Sequence, residues 1–251
     1  MLRALETAPA LTLAELHLAT GLPKPTLLRL LATLEHESLV WRSLGDGSYR
    51  ATGGPIARAR FQPLARAARE HLAVLQRRLL WPSDVSVRRG WYMELVETNR
   101  GLSDLSLTRD RIGARIDIAC SAVGRAYLAY CPPGERERII DYIDSHPEIR
   151  GAFGPLDRRA LTAALEQTRR QGYADRDPNV VRAWRMGEAD DHLDAIAVPV
   201  LHGRRLIGSL NLVWLRRFQL RQTLVSAHLG ELRACAAAIG KAITGAPQAG
   251  D

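Results

Sequence analysis

Three observations predict an α+β fold in two units. The first fifty residues read helix, tight turn, helix and hairpin, an arginine-rich amphipathic stretch follows, and the last two-thirds mixes strand-like and helical segments with no internal repeat. A length of 251 residues is long for one compact domain and natural for two small ones. An apolar content of 46% with 25% charged residues excludes a disordered or fibrous chain. No apolar run reaches the roughly 18 residues of a membrane span, and the opening Met1-Leu2-Arg3-Ala4-Leu5-Glu6 has an early acid and no long apolar core, so no secretory signal is expected. Cys120, Cys131 and Cys235 are far apart and make neither a C-x-x-C nor a zinc spacing, which points to a reduced, cytoplasmic protein.

Within the first fifty residues, Thr12-Leu13-Ala14-Glu15 is a capping-box pattern. It opens a short helix with Leu13, Leu16 and Thr20 on one stripe. Gly21-Leu22-Pro23 supplies the break. A second helix is predicted from about Lys24 to Glu37, with Leu27, Leu30, Leu31 and Leu34 on its buried face. Leu39 to Arg42 and Ser48 to Ala51 read as two strands around Gly45-Asp46-Gly47. This order is that of a winged helix-turn-helix, whose second helix enters the DNA major groove by its N-terminal end. Lys24, Thr26 and Arg29 lie at that end: Lys and Thr can grip phosphates or base edges, and Arg can pair bidentately with guanine. Arg42 and Arg50 on the hairpin can reach the flanking backbone or minor groove. An ordinary helical hairpin with a solvated face is the alternative.

The excess of 35 basic over 27 acidic residues, a net charge of +8, agrees with a polyanionic partner. All but Lys24 and Lys241 of these cations are arginines, a skew that genome composition alone can produce, so the charge by itself does not specify nucleic acid. Ile56 to about Leu80 carries six arginines against Glu70, with an apolar stripe at helical spacing. It reads as a linker helix, with Pro63 as a point of kinking or splitting. The arginines suit backbone contact, dimer packing or plain solvation.

Beyond Trp81 a mixed α/β unit is expected. Its strands are Ser83 to Arg89, Trp91 to Thr98, Ala195 to Leu201 and Leu206 to Leu215. Its helices are Ser121 to Tyr130, Glu135 to Asp144, Asp157 to Gln171 and Leu220 to Ala242. The predicted boundaries are 1–54 for the DNA-binding unit, 55–80 for the linker helix, 81–246 for the α/β unit and 247–251 for a disordered tail.

No nucleophile elbow, zincin, Walker or dinucleotide motif is present in the sequence, so no catalytic residue, metal or cofactor is assigned. His192 beside Asp190, Asp191 and Asp194 is either a metal cluster or an exposed acidic loop. Binding is better supported. Alternation places Ile207, Ser209, Asn211 and Val213 on one strand face. Two small polar groups on an apolar face suit a pocket with orienting hydrogen bonds, or a half-exposed strand. Cys120-Ser121-Ala122 opens an Ala-rich helix whose N-terminus suits a carboxylate, unless Ser121 is simply an N-cap. Arg115 is an anion partner or a surface charge.

Leu11-Thr12-Leu13-Ala14-Glu15-Leu16, Thr20-Gly21-Leu22-Pro23-Lys24 and Leu28-Arg29-Leu30-Leu31-Ala32-Thr33-Leu34-Glu35 closely resemble the DNA-binding domain of the IclR family of bacterial transcriptional regulators. Ala122 to Ala126, Arg170-Gln171-Gly172-Tyr173 and Ile196 to Val200 resemble the family's effector-domain helix and strands, in the family's order. The resemblance implies a GAF-like effector domain, a dimer or tetramer, and two copies on a pseudo-palindromic double-stranded operator. DNA contacts are expected on Lys24, Pro25, Thr26, Arg29, Arg42 and Arg50. The effector site is expected on Arg115, Cys120, Ser121, Ala122, Ser209 and Asn211. Leu79 to Asp84, Gly124 to Tyr127 and Asn211 to Trp214 look like the branch that regulates 3-(3-hydroxyphenyl)propionate catabolism. That branch implies an aromatic acid inducer and transcriptional activation, with RNA polymerase as a further partner and no membrane. Three departures stand out: His17 occupies a position usually small, Pro25 one that is often Ser, and the usual first helix looks clipped. A small-molecule enzyme with a regulatory domain and a ligand-free DNA-binding scaffold remain as other readings.

Overall fold

The computed structural model describes residues 1–7, 11–36, 39–42, 48–51, 55–102, 112–147, 149–150, 154–177, 192–218 and 221–243. The Gly45–Gly47 turn, Asp190, Asp191 and the 247–251 tail lie outside the described residues. The chain divides into two compact units, Met1–Gln62 and Pro63–Asp251.

The first unit contains α1 (Leu2–Thr7), α2 (Leu13–Thr20), α3 (Lys24–His36) and an antiparallel hairpin of β1 (Val40–Arg42) and β2 (Tyr49–Ala51). Leu5, Leu16, Leu27, Leu31, Val40 and Tyr49 form its core. Leu11 adds an antiparallel bridge to Tyr49, its N–H donating at 2.9 Å and its carbonyl accepting at 2.7 Å. The first helix expected to be clipped is present as six residues, and Leu5 anchors it in the core. Leu30 departs from expectation: it is 42% exposed. Leu27, Leu31 and Leu34 already fill the strip turned inward, and Leu30 sits about 100° round the helix from Leu31.

α4 (Pro55–Gln76) is one helix, not split at Pro63. Pro55 needs no helical donor at the first position. Pro63 does remove one, and the division between the units falls at that residue.

The second unit is built on a six-stranded antiparallel sheet in the order β5-β4-β3-β8-β7-β6. The strands are β3 (Asp84–Arg89), β4 (Tyr92–Thr98), β5 (Arg115–Asp117), β6 (Ala174–Asp175), β7 (Leu193–His202) and β8 (Arg205–Leu215). Gly90 and Gly203 take positive φ, 54° and 60°, in the two tight hairpins. The helices are α5 (Ala122–Tyr130), α6 (Pro133–Ser145), α7 (Arg158–Gln171) and α8 (Arg221–Ala242). α5 is buried along almost its whole length. Its Ala122, Val123 and Ala126 join Met93 of β4, Ala197 of β7 and Val213 of β8 in one apolar cluster, which α6 and α7 close with Ile140 and Leu165. Gly124 permits this close fit, because a Cβ there would collide with the Ile118 backbone. A bulge near Val200 and Leu201 leaves Ile207 without a partner in the ladder. Leu206, not Ile207, then packs against the cluster that holds Val213, which breaks the strict alternation expected along β8.

Candidate functional site

In the first unit, the Thr12 Oγ accepts from the Glu15 N–H at 3.3 Å, and the Thr12 N–H donates to Glu15 Oε2 at 2.7 Å, completing the capping box. These bonds hold the Glu15 carboxyl below its ordinary pKa. Gly21 (φ 68°) closes α2 by donating to the His17 carbonyl at 2.9 Å. His17 is exposed, so its size does not disturb the helix packing, which Leu16 makes instead. The His17 Nδ1 lies 2.8 Å from the Leu22 carbonyl and ties the turn. α3 then presents Lys24, Pro25 and Arg29 to solvent, with Thr26 half-buried. Pro25 is tolerated because first-turn N–H groups have no helical acceptor. The hairpin register pairs Arg42 with Tyr49 and Arg50 with Trp41; the Arg42 and Arg50 side chains lie outside the described set.

In the second unit, Ser209, Asn211 and Val213 point to the α5 side of the sheet. Asn211 is spoken for: its Oδ1 accepts from the Asp84 N–H at 2.6 Å and its Nδ2 donates to Asp84 Oδ2 at 3.2 Å. Asp84 also accepts from Thr98 Oγ at 2.7 Å and from both sides of the Arg100 fork at 2.9 and 2.7 Å. Ser209 differs. It is fully buried, faces Ser86 across the β3–β8 ladder, and neither hydroxyl has a hydrogen-bond partner among the described residues. Sequence reasoning missed Ser86: it is the one polar residue in Val85-Ser86-Val87, but its pairing with Ser209 depends on register between segments more than a hundred residues apart.

Cys120, Ser121 and Ala122 sit together where α5 begins. Ser121 is the N-cap, accepting from the Gly124 N–H at 3.0 Å. Cys120 receives an N–H from Arg150 at 2.9 Å, and Asp117 accepts from the Cys120 N–H at 2.6 Å. Burial, reinforced by Asp117, pushes the Cys120 thiol up to about 12, so it is protonated and no nucleophile. Arg125, buried in α5, donates to the Ala119 carbonyl at 2.9 Å and to Asp177. Sequence reasoning missed Arg150 and Arg125 because nothing local separates a buried arginine from the chain's many exposed ones.

Arg115 is not brought to this face. It pairs with Glu94 across β4–β5 and lies 4.8 Å over the Tyr92 ring, on the side of the sheet away from Met93 and the α5 cluster. Asp194 is engaged by Arg221 at 2.8 and 3.0 Å, whereas Asp190 and Asp191 of the expected acidic loop lie outside the described residues. A groove of about 560 Å³ beside α8, lined by Tyr130, Val198, Pro199, Ala236, Ala237 and Lys241, includes none of the expected effector residues.

The sequence model of the IclR helix-turn-helix domain matches residues 1–43, and that of the bacterial transcriptional regulator IclR C-terminal domain matches residues 58–241. The chain belongs to the IclR family. This regulator therefore has a DNA-binding and an effector domain, and is not an enzyme. Members bind DNA and small-molecule effectors and oligomerise. It is 27% identical to the transcriptional regulator XynR of Escherichia coli K12 over 219 residues, 82% of this chain and 79% of the relative. It is 30% identical to the repressor YiaJ of the same organism over 206 residues, 76% of this chain and 67% of the relative. The Thermotoga maritima IclR structure superposes with a TM-score of 0.61 at 18% identity, covering 96% of this chain and 95% of that one. An IclR homologue from Microbacterium hydrocarbonoxydans complexed with 4-hydroxybenzoate gives 0.56 at 20% identity, with 97% and 99% covered. At these identities the superpositions show the shared fold. No helix among the described residues is long and apolar enough to cross a membrane.

Proposed function

We propose that this regulator senses an aromatic carboxylate in the cytoplasm and, when loaded, activates an operon for its breakdown, bound as a dimer or tetramer to a pseudo-palindromic operator. The observation that carries the sensor reading is the Ser86–Ser209 pair. A buried hydroxyl without a partner costs on the order of 1–3 kcal/mol, a cost a ligand with a hydroxyl or carboxylate would relieve. The apolar cluster on the same side of the sheet, with Met93, Val123 and Ala126, suits an aromatic ring, and the N-terminal end of α5, around Cys120, Ser121 and Ala122, suits the carboxylate. The sequence's branch resemblance and the IclR homologue crystallised with 4-hydroxybenzoate support the choice of aromatic acids. On the DNA side, Lys24, Pro25, Thr26 and Arg29 would meet the major groove, with Arg42 and Arg50 on the flanking backbone.

A thermal-shift screen of the full chain against 4-hydroxybenzoate and other hydroxylated benzoates, cinnamates and phenylpropionates tests the sensor reading. A ligand at a hundred times its dissociation constant adds about 2.7 kcal/mol. A selective hit that Ser209→Ala weakens supports the site. A panel with no hit overturns the aromatic reading, and a hit indifferent to Ser209→Ala moves the site elsewhere.

Repression is the second reading, favoured by the similarity to a relative named as a repressor. Transcription in vitro with RNA polymerase separates the two. Activation predicts that protein plus ligand raises transcript above the protein-free level; repression predicts that protein alone lowers it and ligand restores it.

A further inference from the structure

α3 shows solvent two adjacent rows of side chains. Lys24, Leu28 and Ala32 recur at i, i+4 and i+8, and Pro25, Arg29 and Thr33 form the row beside them; all six are exposed. Leu27 and Leu31 close the opposite face into the core. Leu28 is 47% exposed, so it contributes little to that core. It lies one turn, about 6 Å, beyond Lys24 along the helix axis and next to Arg29, at the end of the helix that a helix-turn-helix inserts into DNA. A half-exposed leucine beside an ammonium and a guanidinium offers an apolar contact within a polar groove. Base edges in the major groove offer one apolar partner for it, the C5-methyl of thymine.

We propose that Leu28 is a specificity-determining residue of the DNA interface, packing on a thymine methyl in the major groove while Lys24 and Arg29 hold the polar contacts beside it. The proposal rests on the reading that α3 is the groove-entering helix. Occupation of that apolar spot sets a preference for thymine at one position of each half-site. Leu30 is similarly exposed, at 42%, but lies on the other flank of the helix with Thr26, and makes an internal control.

The test needs no prior operator. The full chain selects duplexes from a random library, and each thymine of the selected site is then replaced by deoxyuridine, which removes only the methyl. One thymine per half-site should lose about fourfold in affinity on replacement, the worth of one buried methyl group. Leu28→Ala should abolish that difference, Leu30→Ala should keep it, and Leu28→Gln should shift selection at the same position towards adenine. Unchanged melting temperatures confirm that the variants are folded. If every uracil replacement is neutral, or the loss persists in Leu28→Ala, the proposal falls. Arg29→Ala distinguishes this failure from a wider one. Lost binding in Arg29→Ala with neutral uracil scanning removes Leu28 alone, whereas retained binding with neutral scanning removes α3 as the reading helix. Failure to select any duplex overturns both.

Discussion

Asn211 and Ser209 stand two residues apart on one face of β8, and their surroundings give them different work. Asn211 bonds both the backbone and the carboxylate of Asp84; Thr98 and Arg100 keep the carboxylate satisfied, but Asn211→Leu strands the buried Asp84 N–H. It should cost about 1–3 kcal/mol in urea unfolding, which makes it a poor probe of effector affinity. Ser209→Ala removes a hydroxyl that has no partner, so the ligand-free protein should be as stable as wild type or more so. A loss above about 1 kcal/mol would show that the Ser209 hydroxyl already has a partner, which would undo the argument for a ligand there. The sequence displayed the polar pair on its apolar strand. It could not display their fates, since Asp84 lies 127 residues from Asn211. The thiols are a second case. Burial raises Cys120 and Cys235 to about 12 and Cys131 to about 11, from an ordinary value near 9.0. Native protein at pH 8 should therefore be silent to a thiol-titrating disulfide and react on denaturation. Because the folded values lie above the unfolded one, the thiols favour folding fully below pH 9. That contribution is lost as the pH rises towards 11–12. A melting temperature unchanged between pH 8 and pH 11 would contradict it.

At the scale of elements, capping and close approach decide where helices begin and how near they lie to their neighbours. Thr12-Leu13-Ala14-Glu15 was readable because a capping box is a local pattern, and its bonds are present in full. Thr12→Ala should cost about 1 kcal/mol, measurable by denaturation of the full chain. Gly124 was legible only as part of a family motif. Its physical reason, the Ile118 backbone lying against its Cα, comes from the packing of α5. Gly124→Ala must push α5 away from that backbone and should destabilise the effector domain by about 1–3 kcal/mol or more. β5 and β6, of three and two residues, escaped the sequence because neither is long enough to establish alternation. The β8 bulge escaped for a related reason: period-two reasoning assumes an unbroken ladder. Leu30 was misplaced because i, i+3 spacing admits more positions than a narrow core strip can take.

At the scale of the whole molecule, the two-unit organisation was legible because the linker's composition differs from both of its neighbours, although Pro63 marks a division within a continuous helix instead of ending it. The basic balance of +8 acts at this scale too, and its meaning depends on where the cations are. An excess of arginine spread over a surface attracts DNA weakly and without orientation, whereas cations at the end of α3 neutralise particular phosphates or pair with particular bases. Salt titration separates these contributions. Each phosphate neutralised adds about 0.9 to the slope of log affinity against log salt. Lys24→Ala should lower that slope by about 0.9 per half-site and weaken all DNA sequences alike. Arg29→Ala should leave the slope unchanged and reduce affinity for the selected operator by about 1–3 kcal/mol per half-site, with binding to unrelated duplexes retained. The reverse assignment, a slope change for Arg29 and none for Lys24, would exchange their roles. No change for either would return the charge of the chain to its dispersed surface arginines and take the groove away from α3.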